Sequence, residues 1–134
     1  MKIVLDANVI VAAFASRGLC ESILEFCLSG QEIILCVDLL DEIARNLRLK
    51  IGLPVPVVDS IRDLLQEHGT LLDPAPLPQD ACRDSDDVKI LGLAVASRAD
   101  FVVTGDKDLL VLETCRGIPI LSPRSFAQTI HSET

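Results

Sequence analysis

The chain has no tryptophan and no tyrosine, and aromatic residues make up only 3% of it. An apolar interior therefore has to be packed from Leu, Ile, Val and Ala, which is feasible because 49% of the 134 residues are hydrophobic. Histidine is scarce, with two copies, and none of the five cysteines (Cys20, Cys27, Cys36, Cys82, Cys115) forms a C-x-x-C pair. That argues against a zinc site and leaves buried free thiols as the plain expectation for most of the cysteines. No apolar run approaches the roughly 18 residues of a membrane span, and no charged segment followed by a short apolar run opens the sequence. These absences predict a protein of the reducing cytoplasm, with no membrane partner. Basic charge is lacking too: 12 Lys and Arg stand against 20 Asp and Glu, a net charge of −8. Taken alone, this argues against a nucleic-acid partner, since phosphate contacts come from Lys and Arg. The argument reverses if the acids are concentrated where metal ions neutralise them.

What is present is an alternation of β-branched runs and helical patterns. The length suits one compact domain spanning 1–134. Ile3–Leu5, Glu32–Val37, Asp100–Thr104 and Ile118–Leu121 read as buried strands. Helices are expected over Val9–Ala15, Leu19–Leu28, a stretch capped by Asp38 with Leu40, Ile43, Leu47 and Ile51 inward, Val57–His68 with Val58, Ile61, Leu64 and Leu65 inward, Asp84–Ser97, and Arg124–Ile130. Lys107–Leu110 suggests a short helix, and Leu71–Pro78, with three prolines, reads as an extended surface connection. This order predicts an α/β fold: a central, mainly parallel sheet flanked by helices on both faces, in three layers.

In such sheets, sites form beyond the carboxyl ends of the strands. Asp6 follows the first strand directly, and Asp106 follows the Asp100–Thr104 strand after one glycine. Glu42 lies one helical turn past the second strand, and Asp86 and Asp87 occupy a helix start. Each acid has a bland role available, such as opposing a helix dipole, and Asp84 with Asp87 looks like a capping box. Their shared edge is the stronger signal. Hydrolysis of an anionic phosphodiester is served by hard divalent cations, and Mg²⁺ and Mn²⁺ take carboxylate oxygens. Carboxylates gathered this closely would repel, and some would keep a proton when no cation is bound.

These residues also carry a family resemblance. Ile3-Val4-Leu5-Asp6-Ala7-Asn8-Val9, Asp41-Glu42-Ile43, Arg83-Asp84-Ser85-Asp86-Asp87-Val88-Lys89-Ile90-Leu91 and Val103-Thr104-Gly105-Asp106-Lys107-Asp108-Leu109-Leu110 resemble, in order, the four motifs of the PIN-domain nucleases. The likeness is nearest to the toxins of toxin–antitoxin systems. Ala7 stands where many relatives have threonine, and the stretch 50–79 carries no motif. The resemblance implies a PIN-like fold and an endoribonuclease using one or two Mg²⁺ or Mn²⁺ ions. It assigns catalysis to Asp6, Glu42, Asp87 and Asp106, with Asp86 and Asp108 as additional metal ligands and Asn8 and Thr104 in support. Arg17, Arg83, Lys89 and Lys107 are the candidates to meet RNA phosphates. It further implies a small antitoxin partner and a homodimer or higher homo-oligomer. Two other readings stay open: a receiver-like signalling domain, although Asp6 lacks a second acid beside it, and a PIN-like scaffold without catalysis.

Overall fold

The computed structural model describes residues 1–133. Its centre is a sheet in the order β3-β2-β1-β4-β6-β5, formed by β1 (Lys2–Leu5), β2 (Glu32–Leu35), β3 (Gly69–Leu71), β4 (Phe101–Val103), β5 (Thr114–Cys115) and β6 (Ile118–Leu121). All neighbours are parallel except β5 and β6. Ile3, Val4 and Leu5 are all buried, as are Ile33, Ile34 and Leu35. Successive strand residues point to opposite faces, so burial of every one requires helices on both. The observed layers are therefore the three the sequence predicts. Helix α5 (Val88–Ser97) lies across β1, β2 and β4, while α2 (Leu19–Gly30) packs on β2 and α7 (Pro123–Glu133) on β6. Phe126 of α7 closes the core, edge-on to Phe26 and Phe101.

Helix α1 (Ala7–Ala15) starts two residues earlier than its apolar pattern suggests, because Asp6 caps it. Helix α3 (Val37–Asn46) is capped by Cys36, whose sulfur accepts from the Leu39 N–H at 3.4 Å. Asp38 is thus a first-turn acid instead of the expected cap. A π-helical turn, Leu47–Ile51, extends α3 and stops at Gly52 in the left-handed conformation (φ 82°). The wider turn carries Ile51 out of the helix's inner face, so Ile51 is exposed while Leu40, Ile43 and Leu47 are buried. In α4 (Val55–His68) Val58, Ile61 and Leu65 are buried and Leu64 is half-buried.

Two strands escaped the sequence reading. Gly69–Leu71 forms the outer strand β3 against Ile33–Leu35, and Thr114–Cys115 pairs antiparallel with Ile118 and Pro119. Of the five cysteines, Cys27, Cys36 and Cys82 are buried, Cys20 and Cys115 are half-buried, and all five thiols are free. No helix among the described residues is long and apolar enough to cross a membrane.

Candidate metal centre

Asp6 leaves β1 with its backbone still in the sheet: its N–H donates to the Val103 carbonyl at 3.0 Å. Its extended backbone then opens α1. One carboxylate oxygen accepts from the Ala7 N–H at 2.7 Å, and the other accepts from the Thr104 hydroxyl at 2.7 Å. Thr104 follows β4 directly and is fully buried. Its Oγ1 accepts in turn from the Asp106 N–H at 3.0 Å. The hydroxyl thus ties the ends of two adjacent parallel strands together. Asp106 caps the short α6 (Lys107–Leu110) by accepting from the Asp108 N–H at 2.8 Å.

Asp87 comes from the other side of the chain. It closes a 3₁₀ turn, Ser85–Asp87, held by the Asp87 N–H to the Asp84 carbonyl at 3.1 Å, and α5 continues from it. The expected helix over 84–97 therefore begins as this tighter turn. The Asp84 carboxylate bonds the Asp86 N–H at 2.9 Å, so the pair Asp84 and Asp87 does not make a reciprocal capping box.

The three carboxylates of Asp6, Asp87 and Asp106 each offer an oxygen, all within 4.8 Å of one another. Asp84, Asp87 and Asp108 form a second group on the same criterion, so Asp87 belongs to both. Asp87 is only 8% exposed, and its Oδ2 is buried without a hydrogen-bond partner. Burial is the main reason its pKa is pushed up to about 8; the shared hydrogen bond with Asp106 and the charges of Asp106, Asp6 and Asp84 add to it. At neutral pH its carboxyl therefore keeps a proton and can donate it to the Asp106 carboxylate. Asp6 is raised as well, again mainly by burial. The Thr104 and Ala7 hydrogen bonds oppose that rise, and the charges of Glu42 and Asp106 support it.

Not every expected ligand joins. Glu42 stands near enough for its charge to act on Asp6, yet it lies outside both groups. Its Oε1 instead accepts from the Lys89 ammonium at 2.5 Å, both side chains being largely covered. Asp86 is exposed and also outside both groups. Lys89 is paired with Glu42. Asn8 is exposed on the first turn of α1; Arg17, Arg83 and Lys107 are exposed. Asp84 was missed as a member of the cluster, because its capping role accounted for it locally. The one available signal was its position three residues before Asp87, on the same turn.

The donor set suits a hard divalent cation: oxygen ligands only, converging from three segments, with one buried carboxylate oxygen left without a partner. An uncompensated buried acceptor costs about 1–3 kcal/mol, and a cation would remove that cost.

A PIN-domain family model matches residues 2–108, which include every acid of both groups. The chain belongs to the PIN-domain family. That membership sets aside the receiver-like alternative. Among solved structures, the PIN chain matches the crystal structure of VapBC2 from Rickettsia felis bound to a DNA fragment from their promoter, with a TM-score of 0.63. The match covers 91% of this chain and 98% of the other at 16% identity, a likeness of fold. No curated protein matches in sequence.

Proposed function

We propose that this PIN protein is a divalent-metal-dependent endoribonuclease, the toxin of a toxin–antitoxin pair, working as a homodimer or higher homo-oligomer. The observation that carries the reading is the convergence of Asp6, Asp87 and Asp106, with a buried Asp87 oxygen left without a partner. The fold likeness to VapBC2 supports an antitoxin partner.

Asp6, Asp87 and Asp106 would hold one Mg²⁺ or Mn²⁺ ion, and Asp84 and Asp108 with Asp87 would be the ligands of a second. When bound, such ions supply Lewis-acid stabilisation of the phosphoryl oxygens and lower the pKa of water at the site. The protein's own groups prepare that chemistry. Thr104 fixes the Asp6 carboxylate and, through the Asp106 N–H, the Asp106 backbone. Asp87 would give up its proton to serve as a ligand, so binding would be coupled to deprotonation. Lys89 holds Glu42 beside the acids without letting it crowd them. No histidine serves as a base.

The test is cleavage of a single-stranded RNA in Mn²⁺ or Mg²⁺, with EDTA, and with Asp6→Asn and Asp87→Asn. The expected result is strand scission that both substitutions and EDTA abolish. Cleavage that persists in EDTA or in both variants would remove the mechanism.

A further inference from the structure

An acidic centre in a chain of net charge −8 raises a physical question: what draws an anionic polymer to it? The segment 50–79 and the helix before it supply an answer. Asp41, Ala44, Arg45 and Arg48 are spaced so that they share one face of α3 and its π-helical extension, and Val55, Val58, Asp59 and Arg62 share one face of α4. The two faces line a groove of about 330 Å³. Across it the Arg62 guanidinium donates to Asp41 at 2.7 Å. That bond takes up Asp41, the residue one turn before Arg45 that would otherwise neutralise it. Arg45 and Arg48 are exposed, and the groove carries three arginines against two aspartates.

The groove does not end there. A second depression, lined by Asp38, Asp41, Arg45, Ser85, Asp86 and Lys89, shares Asp41 and Arg45 with the first. It ends at Lys89, whose partner Glu42 acts on Asp6. The exposed Arg48 and Arg45 therefore lie on a continuous depression that reaches the edge of the metal centre, where Lys89 is paired with Glu42.

We infer that the groove between α3 and α4 seats backbone phosphates of the RNA strand flanking the cleaved bond, with Arg45 and Arg48 as the phosphate ligands. The inference rests on the ribonuclease reading and deepens it. Guanidinium groups are suited to the task because their planar fork meets two phosphate oxygens at once. The grip is on phosphate, because base stacking is not on offer: all four phenylalanines belong to the core or pack against it, and there is no Trp or Tyr. Binding in the groove is accordingly salt-dependent and indifferent to base sequence.

The experiment measures steady-state cleavage of a labelled single-stranded RNA in Mn²⁺ by the full chain and by Arg45→Ala, Arg48→Ala and the double variant. Arg116→Ala, in the β5–β6 hairpin at the opposite sheet edge from α4, is the control. KM is expected to rise on the order of tenfold per groove arginine, with kcat little changed. The slope of log KM against log salt should fall by about 0.7 per arginine removed. Arg116→Ala should match the parent protein, and calorimetric Mn²⁺ affinity should be unaltered throughout. Should the alanine double variant fail to fold, the lysine pair Arg45→Lys and Arg48→Lys keeps the charge, loses the fork and should show an intermediate KM. Unchanged KM and salt slope in an active enzyme would overturn the groove and leave the nuclease standing. Parent protein that neither binds Mn²⁺ nor cuts RNA would overturn both. A double variant that turns monomeric by light scattering, at parental KM and salt slope, would assign the groove to a second copy of the chain and overturn the phosphate reading.

Discussion

Asp87 is held where a carboxyl prefers its proton, and that preference has a measurable consequence in the metal-free protein. An unfolded aspartate titrates near 3.8 and the folded one near 8. Below the lower value both states carry the proton and folding is indifferent to it. Between the two, the folded state keeps a proton that the unfolded chain has released, so stability falls as pH rises and the loss is complete only above about pH 8. Asp6 is shifted in the same direction. The thermal midpoint in EDTA should drop between pH 5 and pH 8.5, and Asp87→Asn should flatten the profile and raise the midpoint at the alkaline end. A midpoint that climbs with pH would show that the acids are not close-packed. Thr104→Val tests the neighbouring link. It removes the donor to Asp6 and the acceptor for the Asp106 N–H while keeping the shape, and should cost about 1–3 kcal/mol by urea unfolding. Asp6, Asp87 and Asp106 were legible because each stands where a strand ends or a helix begins. The pairing of Glu42 with Lys89, 47 residues away, was not legible, because no local pattern records it.

Among the elements, α5 shows how a local rule is overridden by packing. Gly92 sits in the middle of this helix, where alanine would ordinarily gain about 1 kcal/mol. Here a Cβ would stand 2.6 Å from the Ala75 carbonyl oxygen and 2.9 Å from the Pro74 Cβ. The proline-bearing strap over α5 is fastened at this point by the Ala75 N–H to the Gly92 carbonyl at 2.9 Å. Backbone cannot yield as a flexible side chain does, so Gly92→Ala should destabilise by roughly 1–3 kcal/mol in chemical denaturation, against the helix-propensity trend. A stabilised variant would mean the strap lifts freely. The same contrast separates the legible part of the fold from the rest. Strands β1, β2, β4 and β6 announce themselves by apolar runs such as Ile33-Ile34-Leu35, which need only burial on both faces. β3 (Gly-Thr-Leu) and β5 (Thr-Cys) carry no such run, and they are strands because of what they lie beside. The π-helical turn was likewise unreadable, since Leu40, Ile43, Leu47 and Ile51 keep helical spacing through it.

At the scale of the whole molecule, charge and folding are coupled through the same few acids. A chain of net charge −8 repels itself, and the folded state adds to this by pressing Asp6, Asp84, Asp87, Asp106 and Asp108 into two overlapping groups. The unfolded chain disperses them. A divalent cation that bridges these carboxylates binds the folded state and has little affinity for the unfolded one, so it stabilises by RT ln(1 + [L]/Kd), about 2.7 kcal/mol at a hundred times Kd. For a chain of this size that corresponds to roughly 10 °C in thermal midpoint. The gain must depend on pH, because the cation competes with the proton on Asp87: small near pH 5.5, large near pH 8.5. Scanning calorimetry of the parent protein with and without Mn²⁺ at both values should show that difference, and it should vanish in Asp87→Asn. Sodium chloride at equal ionic strength should not reproduce it, since screening relaxes repulsion among exposed charges but does not reach a buried carboxylate oxygen. Equal stabilisation by Mn²⁺ at both pH values, or by monovalent salt, would mean that the ion acts on the diffuse surface charge, and the acidic cluster would lose its claim to be a metal site.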